Sequence, residues 1–172
     1  MPGAARRGST ASSSRCYGTH VRIFIDADAC PVKEETYKVA LRYGVSVAVV
    51  ANSRMRVPDL VGIELVVVAQ GPDVADDWIV ETLQSGDVVV TADIPLAARC
   101  IDGGARVIGI SGRVFTEDSI GGSLATRDLM QHLRESGVQT PGPPPISKKD
   151  RSRFSSKLNE LVDQGSRGAA SR

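Results

Sequence analysis

Six aspartates fall where short apolar runs end or helices begin. VRIFIDADACPV, from Val21 to Val32, delivers Asp26 and Asp28 one residue apart; GPDVADDW supplies Asp73, Asp76 and Asp77; VVVTADIP carries Asp93 two residues after Thr91. Carboxylates gathered at one place repel one another, so they share a proton or bind a cation. No softer site competes: Cys16, Cys30 and Cys100 lack CxxC spacing and have only His20 and His132 as imidazole companions. An all-oxygen donor set favours Mg²⁺ or Mn²⁺ over zinc. Such an ion can activate water and stabilise charge on a phosphoryl group, the chemistry of phosphodiester hydrolysis. Asp26 is placed to hold an ion directly, and Asp28 to orient water or a second ion from the loop. Asn52, closing VVAN, suits a metal water or a phosphate as well as a turn. For the Asp76–Asp77 doublet the alternative is stabilisation of a helix N-terminus.

The elements that must position these groups are legible as alternating patterns. VRIFID, VSVAVVAN, IELVVVA, DVVVTAD and ARVIGI are valine- and isoleucine-rich runs suited to strands covered on both faces. PVKEETYKVALRYG reads as a helix, with Pro31 at its first turn, early acids and Gly44 at its end. VADDWIVETLQSG, IPLAARCIDGG and LATRDLMQHLRESG read as further helices, whereas NSRMRVPDLVG does not. This alternation predicts a three-layer α/β fold with a mainly parallel five-stranded sheet and right-handed crossovers. In such sheets ligands bind beyond the carboxyl ends of strands where strand order reverses. A first strand beside the fourth would set Asp26 and Asp93 across that point.

The chain has 172 residues, 41% hydrophobic and 24% charged, enough for one ordinary core. Its net charge of +1 is unevenly spread: residues 1–22 carry 4 basic and no acidic groups, residues 141–172 carry 7 and 3, and residues 23–140 carry 10 and 17. Residues 1–20, Ser- and Arg-rich and aperiodic, are expected to form a disordered extension or to reflect an early start, with an organelle-targeting peptide as the lesser alternative. Residues 21–140 form the α/β domain. PGPPP opens a linker that leads, over residues 141–164, into a basic helix with capping-box spacing between Ser147 and Asp150; residues 165–172 read as a disordered tail. Lys148, Lys149 and Arg151, with Arg54 and Arg56 in the second connection, could hold backbone phosphates. The absence of an apolar run long enough to span a bilayer, and of a secretory h-region, points to a cytoplasmic protein without a membrane partner. Aromatic content of 4% argues against an extensive base-stacking platform.

IDADACPV, VVAN, GPDVADDWIV, GDVVVTADIPLA and FTEDSIGGSLATRDLMQHLRESG, followed by GPPP and a basic helix, resemble the YaiI/YqxD family of bacterial proteins over approximately residues 21–162. The family is functionally uncharacterised and is grouped with PIN-like, including NYN-type, metal-dependent ribonucleases. The resemblance implies a PIN-like fold, Mg²⁺ or Mn²⁺ as cofactor and single-stranded or structured RNA as partner. By it, Asp26, Asp76 and Asp93 match the acidic positions of PIN-like sites, and Asp28 and Asp73 belong to the family's own motifs. Asp73, Asp77, Asn52 and Thr91 are additional candidates for the site. ISGRVF departs from the Pro-Arg-Gly sequence expected there, so no role carries over to Arg113.

Three rival readings start from the same residues. An apolar run ending in DxD also opens haloacid-dehalogenase phosphatases, with Asp26 as nucleophile, Asp28 as acid/base and Thr91 imitating their second motif. That arrangement requires a lysine and a later acidic pair, whereas Asp76 and Asp77 precede Thr91. Cys30, before a helix start, could be an activated thiol or a small buried residue. The non-enzymatic alternative is a nucleic-acid or nucleotide-binding protein with a structural metal site.

Overall fold

The computed structural model describes residues 21–142 and 144–170; the expected N-terminal extension lies outside the described residues. Strands β1 (Arg22–Asp26), β2 (Ser46–Ala51), β3 (Ile63–Val67), β4 (Val88–Val90), β5 (Arg106–Ile108) and β6 (Val114–Phe115) form one sheet in the order β3-β2-β1-β4-β5-β6. The first five are parallel and β6 pairs antiparallel with β5. Six strands therefore stand where five were expected. The sixth is only two residues long, too short for a periodic signal, and it forms because the β5–β6 turn folds straight back on β5.

Alternation along the strands creates two cores. Ile23, Ile25, Val47, Val49, Val88 and Val90 face α1 (Lys33–Tyr43) and α5 (Lys148–Ala170). Phe24, Ala48, Val50 and Val89 face α2 (Val74–Thr82) and α3 (Ile94–Asp102). The α4 helix (Glu117–Glu135) lies beyond α3. The result is a three-layer α/β fold whose central strands are buried on both faces, as their near-continuous apolar runs require.

Helix boundaries follow local chemistry. Gly44 ends α1 in the left-handed region at φ 64°, its N–H donating to the Ala40 carbonyl. The α4 helix starts earlier than its apolar pattern indicates, because Thr116 caps it and exchanges hydrogen bonds with Ser119. Ser147 and Asp150 likewise satisfy each other's backbone N–H groups at the start of α5.

The α5 helix is a structural wall, and it runs to Ala170, well into the stretch expected to be a disordered tail. Phe154, Leu158, Leu161 and Val162, at helical spacing, are buried in the α1-side core. Gly165 continues that stripe: a Cβ there would approach Val21 Cγ2 to 2.7 Å. At the other end, a Cβ on Gly112 would meet the Phe154 amide nitrogen at 2.6 Å, so the β5–β6 turn docks on α5 backbone to backbone. Arg151 pairs with Glu35 at 2.9 Å and donates to the Pro31 carbonyl at 2.8 Å, setting the start of α5 beside the start of α1. Among the described residues no helix is long and apolar enough to cross a membrane.

Because Phe154 fills a closed interior, Phe154→Ala should lower the free energy of unfolding by about 3–5 kcal/mol in urea titration. A merely appended tail would leave the urea midpoint unchanged.

Candidate functional site

The strand order reverses between β1 and β4, where β1 leads to β2 on one side and β4 to β5 on the other. At the carboxyl ends of these strands lies a pocket of about 400 Å³ whose lining includes Asp26, Asp28, Asn52, Asp73, Asp76 and Asp93 together with Gly71 and Pro72. Five carboxylates and no lysine or arginine line it. Asp26 ends β1 and Asn52 follows β2; the 3-10 turn Ala27–Ala29 carries Asp28; the first turn of α2 carries Asp76, and Asp93 is the N-cap of α3.

A chain of hydrogen bonds orients the central pair. The Asp93 N–H donates to Thr91 Oγ1 at 3.0 Å, and the Thr91 hydroxyl donates to Asp26 Oδ2 at 3.0 Å. Thr91 is fully buried, so this hydroxyl acts as a fixed spacer between the β1 and β4 ends and not as a pocket-lining group. Asp93 caps α3: its Oδ1 accepts from the Leu96 N–H at 2.9 Å. One oxygen each of Asp26 and Asp93 is thus engaged by the protein. Asn52 Nδ2 donates to Asp28 Oδ2 at 3.3 Å, while Asn52 Oδ1 is buried with no partner among the described residues. Lys33 Nζ donates to the Ala27 carbonyl at 3.2 Å and steadies the turn from behind.

Asp73 has a backbone feature the sequence did not reveal. It occupies the N-cap of α2 at φ 61°, the single non-glycine with positive φ among the described residues, yet its side chain makes no capping hydrogen bond. Aspartate tolerates the left-handed region better than most residues, and here it uses it without capping the helix. The Gly71–Pro72 pair before it was the available signal.

Electrostatics follow from burial and crowding. Burial pushes the Asp26 carboxyl upward, opposed by hydrogen bonds from the Thr91 side chain and the Asp28 backbone and reinforced by the charges of Asp28 and Asp93. Asp76 is pushed up to about 6, first by burial and then by repulsion from Asp93, Asp26 and Asp73, with Arg99 opposing. Its neighbour Asp77 points elsewhere: it pairs with Arg99 at 2.7 Å on the exposed surface and is not part of the pocket. The doublet therefore divides between a site acid and a surface ion pair.

The expected phosphate ligands do not line this pocket. Arg151 is engaged by Glu35, and with Arg56 it lines a separate cleft of about 820 Å³ beside the start of α1. Arg54, Lys148 and Lys149 are exposed. Burial pushes the Cys30 thiol to about 11 and Cys100 to about 12, which removes both as thiolate nucleophiles near neutrality.

The donor chemistry suits a hard cation: carboxylates, an orphaned amide oxygen and a polar pocket with room for water. Among the described residues, however, no three His, Cys, Asp or Glu side chains converge closely enough to enclose an ion. Such a donor set would suit a largely hydrated cation held by one or two carboxylates and not an all-protein cage.

Comparison with known proteins supplies the affiliation. The family model described as "Uncharacterized BCR, YaiI/YqxD family" matches residues 24–164. The chain belongs to the YaiI/YqxD family. It is 53% identical over 146 residues to a UPF0178 protein of Paramagnetospirillum magneticum, covering 85% of this chain and 97% of the relative. A UPF0178 protein of Nitrobacter winogradskyi is 51% identical over 154 residues, 90% and 98% of the two chains. A third, from Azorhizobium caulinodans, is 56% identical over 142 residues, 83% and 89%. No solved structure matches. The YaiI/YqxD match spans β1 through most of α5, so it covers both the carboxylate pocket and the helix that closes the core.

Asp76 binds a proton more readily in the folded chain than in the unfolded one. Its stabilising contribution is therefore fully present below the unfolded value near 3.8 and lost as pH rises through about 6. In metal-free buffer, Asp76→Asn should melt above wild type at about pH 7.5, and the difference should shrink toward about pH 4. A melting-temperature difference that stays constant across this range would show that Asp76 is not in a repelling cluster.

Proposed function

We propose that this chain is a divalent-metal-dependent phosphodiester hydrolase of PIN-like type, acting on single-stranded or structured RNA. The observation that carries the reading is that Asp26, Asp76 and Asp93, brought by three separate elements, line one pocket at the β1/β4 switch point, and that no lysine or arginine lines it. The parallel order of the first five strands agrees with the PIN-like resemblance.

Bound Mg²⁺ or Mn²⁺ would supply charge neutralisation at the phosphoryl oxygens and activation of water. One or two of Asp26, Asp76 and Asp93 would hold it directly. The residues of the chain do the rest. Thr91 keeps one Asp26 oxygen turned toward β4. The Leu96 N–H holds one Asp93 oxygen. Asp28, steadied by Asn52, orients water from the 3-10 turn. The α3 N-terminus adds partial positive charge beside Asp93, where an incoming phosphate meets the acids.

A second reading, a nucleic-acid binder with a non-catalytic metal site, is favoured by the loose convergence of the carboxylates. Activity assays separate the two. Wild type should cleave single-stranded RNA slowly and only with Mn²⁺ or Mg²⁺. Asp26→Asn should abolish cleavage, Asp28→Asn should reduce it about 10- to 100-fold, and Asp77→Asn should leave it intact. Each variant is purified separately, since contaminating ribonuclease imitates slow activity. Equal rates for wild type and Asp26→Asn would remove the hydrolase reading; binding without cleavage by both would install the binder in its place.

A further inference from the structure

We infer that the groove along α4 binds the phosphate backbone of a single-stranded nucleic acid and leads it to the carboxylate pocket. For its destination, the inference rests on the phosphodiesterase reading. The groove, about 730 Å³, lies between α4 and the β5–β6 turn, and Ile94, the residue after Asp93, lines it. The pocket and the groove thus each take one of two consecutive residues, Asp93 and Ile94, at the start of α3.

Three arginines give the groove its sign. Arg113 comes from the turn before β6, and Arg127 and Arg134 come from one face of α4, seven residues and so about 10.5 Å apart. Asp118 is the one carboxylate among its lining residues, although residues 23–140 as a whole carry 17 acidic groups against 10 basic.

Two of these guanidinium groups, Arg113 and Arg134, are oriented by neutral partners, and the third, Arg127, by an exposed neighbouring carboxylate. Arg113 donates to Ser123 Oγ at 3.0 Å and lies over the Phe115 ring at 5.3 Å. Arg134 Nε donates to Thr140 Oγ1 at 2.9 Å. The only carboxylate on Arg127 among the described residues is that of Asp128, 3.5 Å away and 71% exposed. Elsewhere, Arg22, Arg99 and Arg151 each face a carboxylate from another element: Glu64, Asp77 and Glu35. Guanidinium forks with neutral partners keep donors and full charge available for phosphate oxygens.

The helix itself supplies an independent observation. Gly121 and Gly122 stand in adjacent positions inside α4, where glycine is a poor helix former, and a Cβ on either would meet nothing within 4 Å. Internal packing gives no reason for them. Gly122 lines the groove, so its missing side chain leaves room for a ligand to approach the helix backbone. Ile94 and half-exposed Met130 add apolar surface for sugars or bases. The groove also resolves an electrostatic difficulty: five carboxylates repel a polyanion, and the adjacent arginines attract it.

Binding is measured by fluorescence anisotropy with a short labelled single-stranded RNA in EDTA, so that hydrolysis plays no part. The double variant Arg127→Gln/Arg134→Gln should bind at least about 10-fold more weakly at low salt, and its slope of log affinity against log salt should flatten by about 0.7 per arginine. Arg167→Gln, on the last turns of α5, serves as the charge control and should leave both unchanged. Gly122→Ala should raise the melting temperature yet weaken RNA binding, a combination that a purely structural glycine would not produce. Unchanged affinity and slope in the double variant would overturn the inference. So would equal competition by a polyglutamate peptide, which would assign the groove to acidic protein partners. If wild type binds RNA in EDTA through these arginines but never cleaves it with Mn²⁺, the groove stands and the hydrolase reading alone fails.

Discussion

The fold depends on hiding both faces of β1, β2 and β4. Every residue from Val47 to Ala51 and from Val88 to Val90 is buried, as are Ile23, Phe24 and Ile25. A sheet with two apolar faces requires a helical layer on each side, and the chain meets that requirement with α1 and α5 on one face and α2 and α3 on the other. This is why α5 cannot be regarded as a detachable basic arm. Its charged residues face outward while Phe154, Leu158 and Val162 complete the core.

The same constraint determines where polar chemistry can appear. Strands buried on both faces have no room for carboxylates along their length, so functional groups collect beyond the strand ends, where β1 and β4 diverge. Asp87 is the instructive contrast. It too is buried, at the opposite edge of the sheet, but it accepts hydrogen bonds from the Arg22 and Gln84 N–H groups and so ties β1 to the turn before β4. Asp26 and Asp76 differ from it in having several like-charged neighbours. A buried acid with its hydrogen bonds satisfied is structural; a cluster with oxygens unengaged is available for ligands.

Stability has been conceded at several points around this edge. Asp73 holds a left-handed backbone without capping its helix, Asn52 buries an unpartnered oxygen, and α4 carries two glycines that no neighbour demands. All three departures from local consistency lie in the carboxylate pocket or on the helix beside it. Proteins tend to concentrate such departures at functional sites. The acidic pocket and the arginine groove also divide charge along one surface, with repulsion at the centre and attraction on the approach.

By itself the sequence determined the layered α/β architecture, since apolar runs of strand length between helical segments have few other ways to bury themselves. It also identified Asp26, Asp28, Asp76 and Asp93 as groups destined for one edge, because each follows a strand or opens a helix. Only the tertiary structure decided which acids meet. Asp76 and Asp77 are indistinguishable as neighbours in the sequence, and the helical turn of 100° between them sends one toward Asp93 and the other toward Arg99. The two-residue β6 and the core role of α5 were hidden for related reasons: one is set by pairing with β5, the other by a distant core that the basic composition of α5 obscured. The arginine groove belongs with them. Arg113 is separated from Arg127 and Arg134 by a strand and much of a helix, and only the packing of the β5–β6 turn beside α4 brings their charges onto one surface.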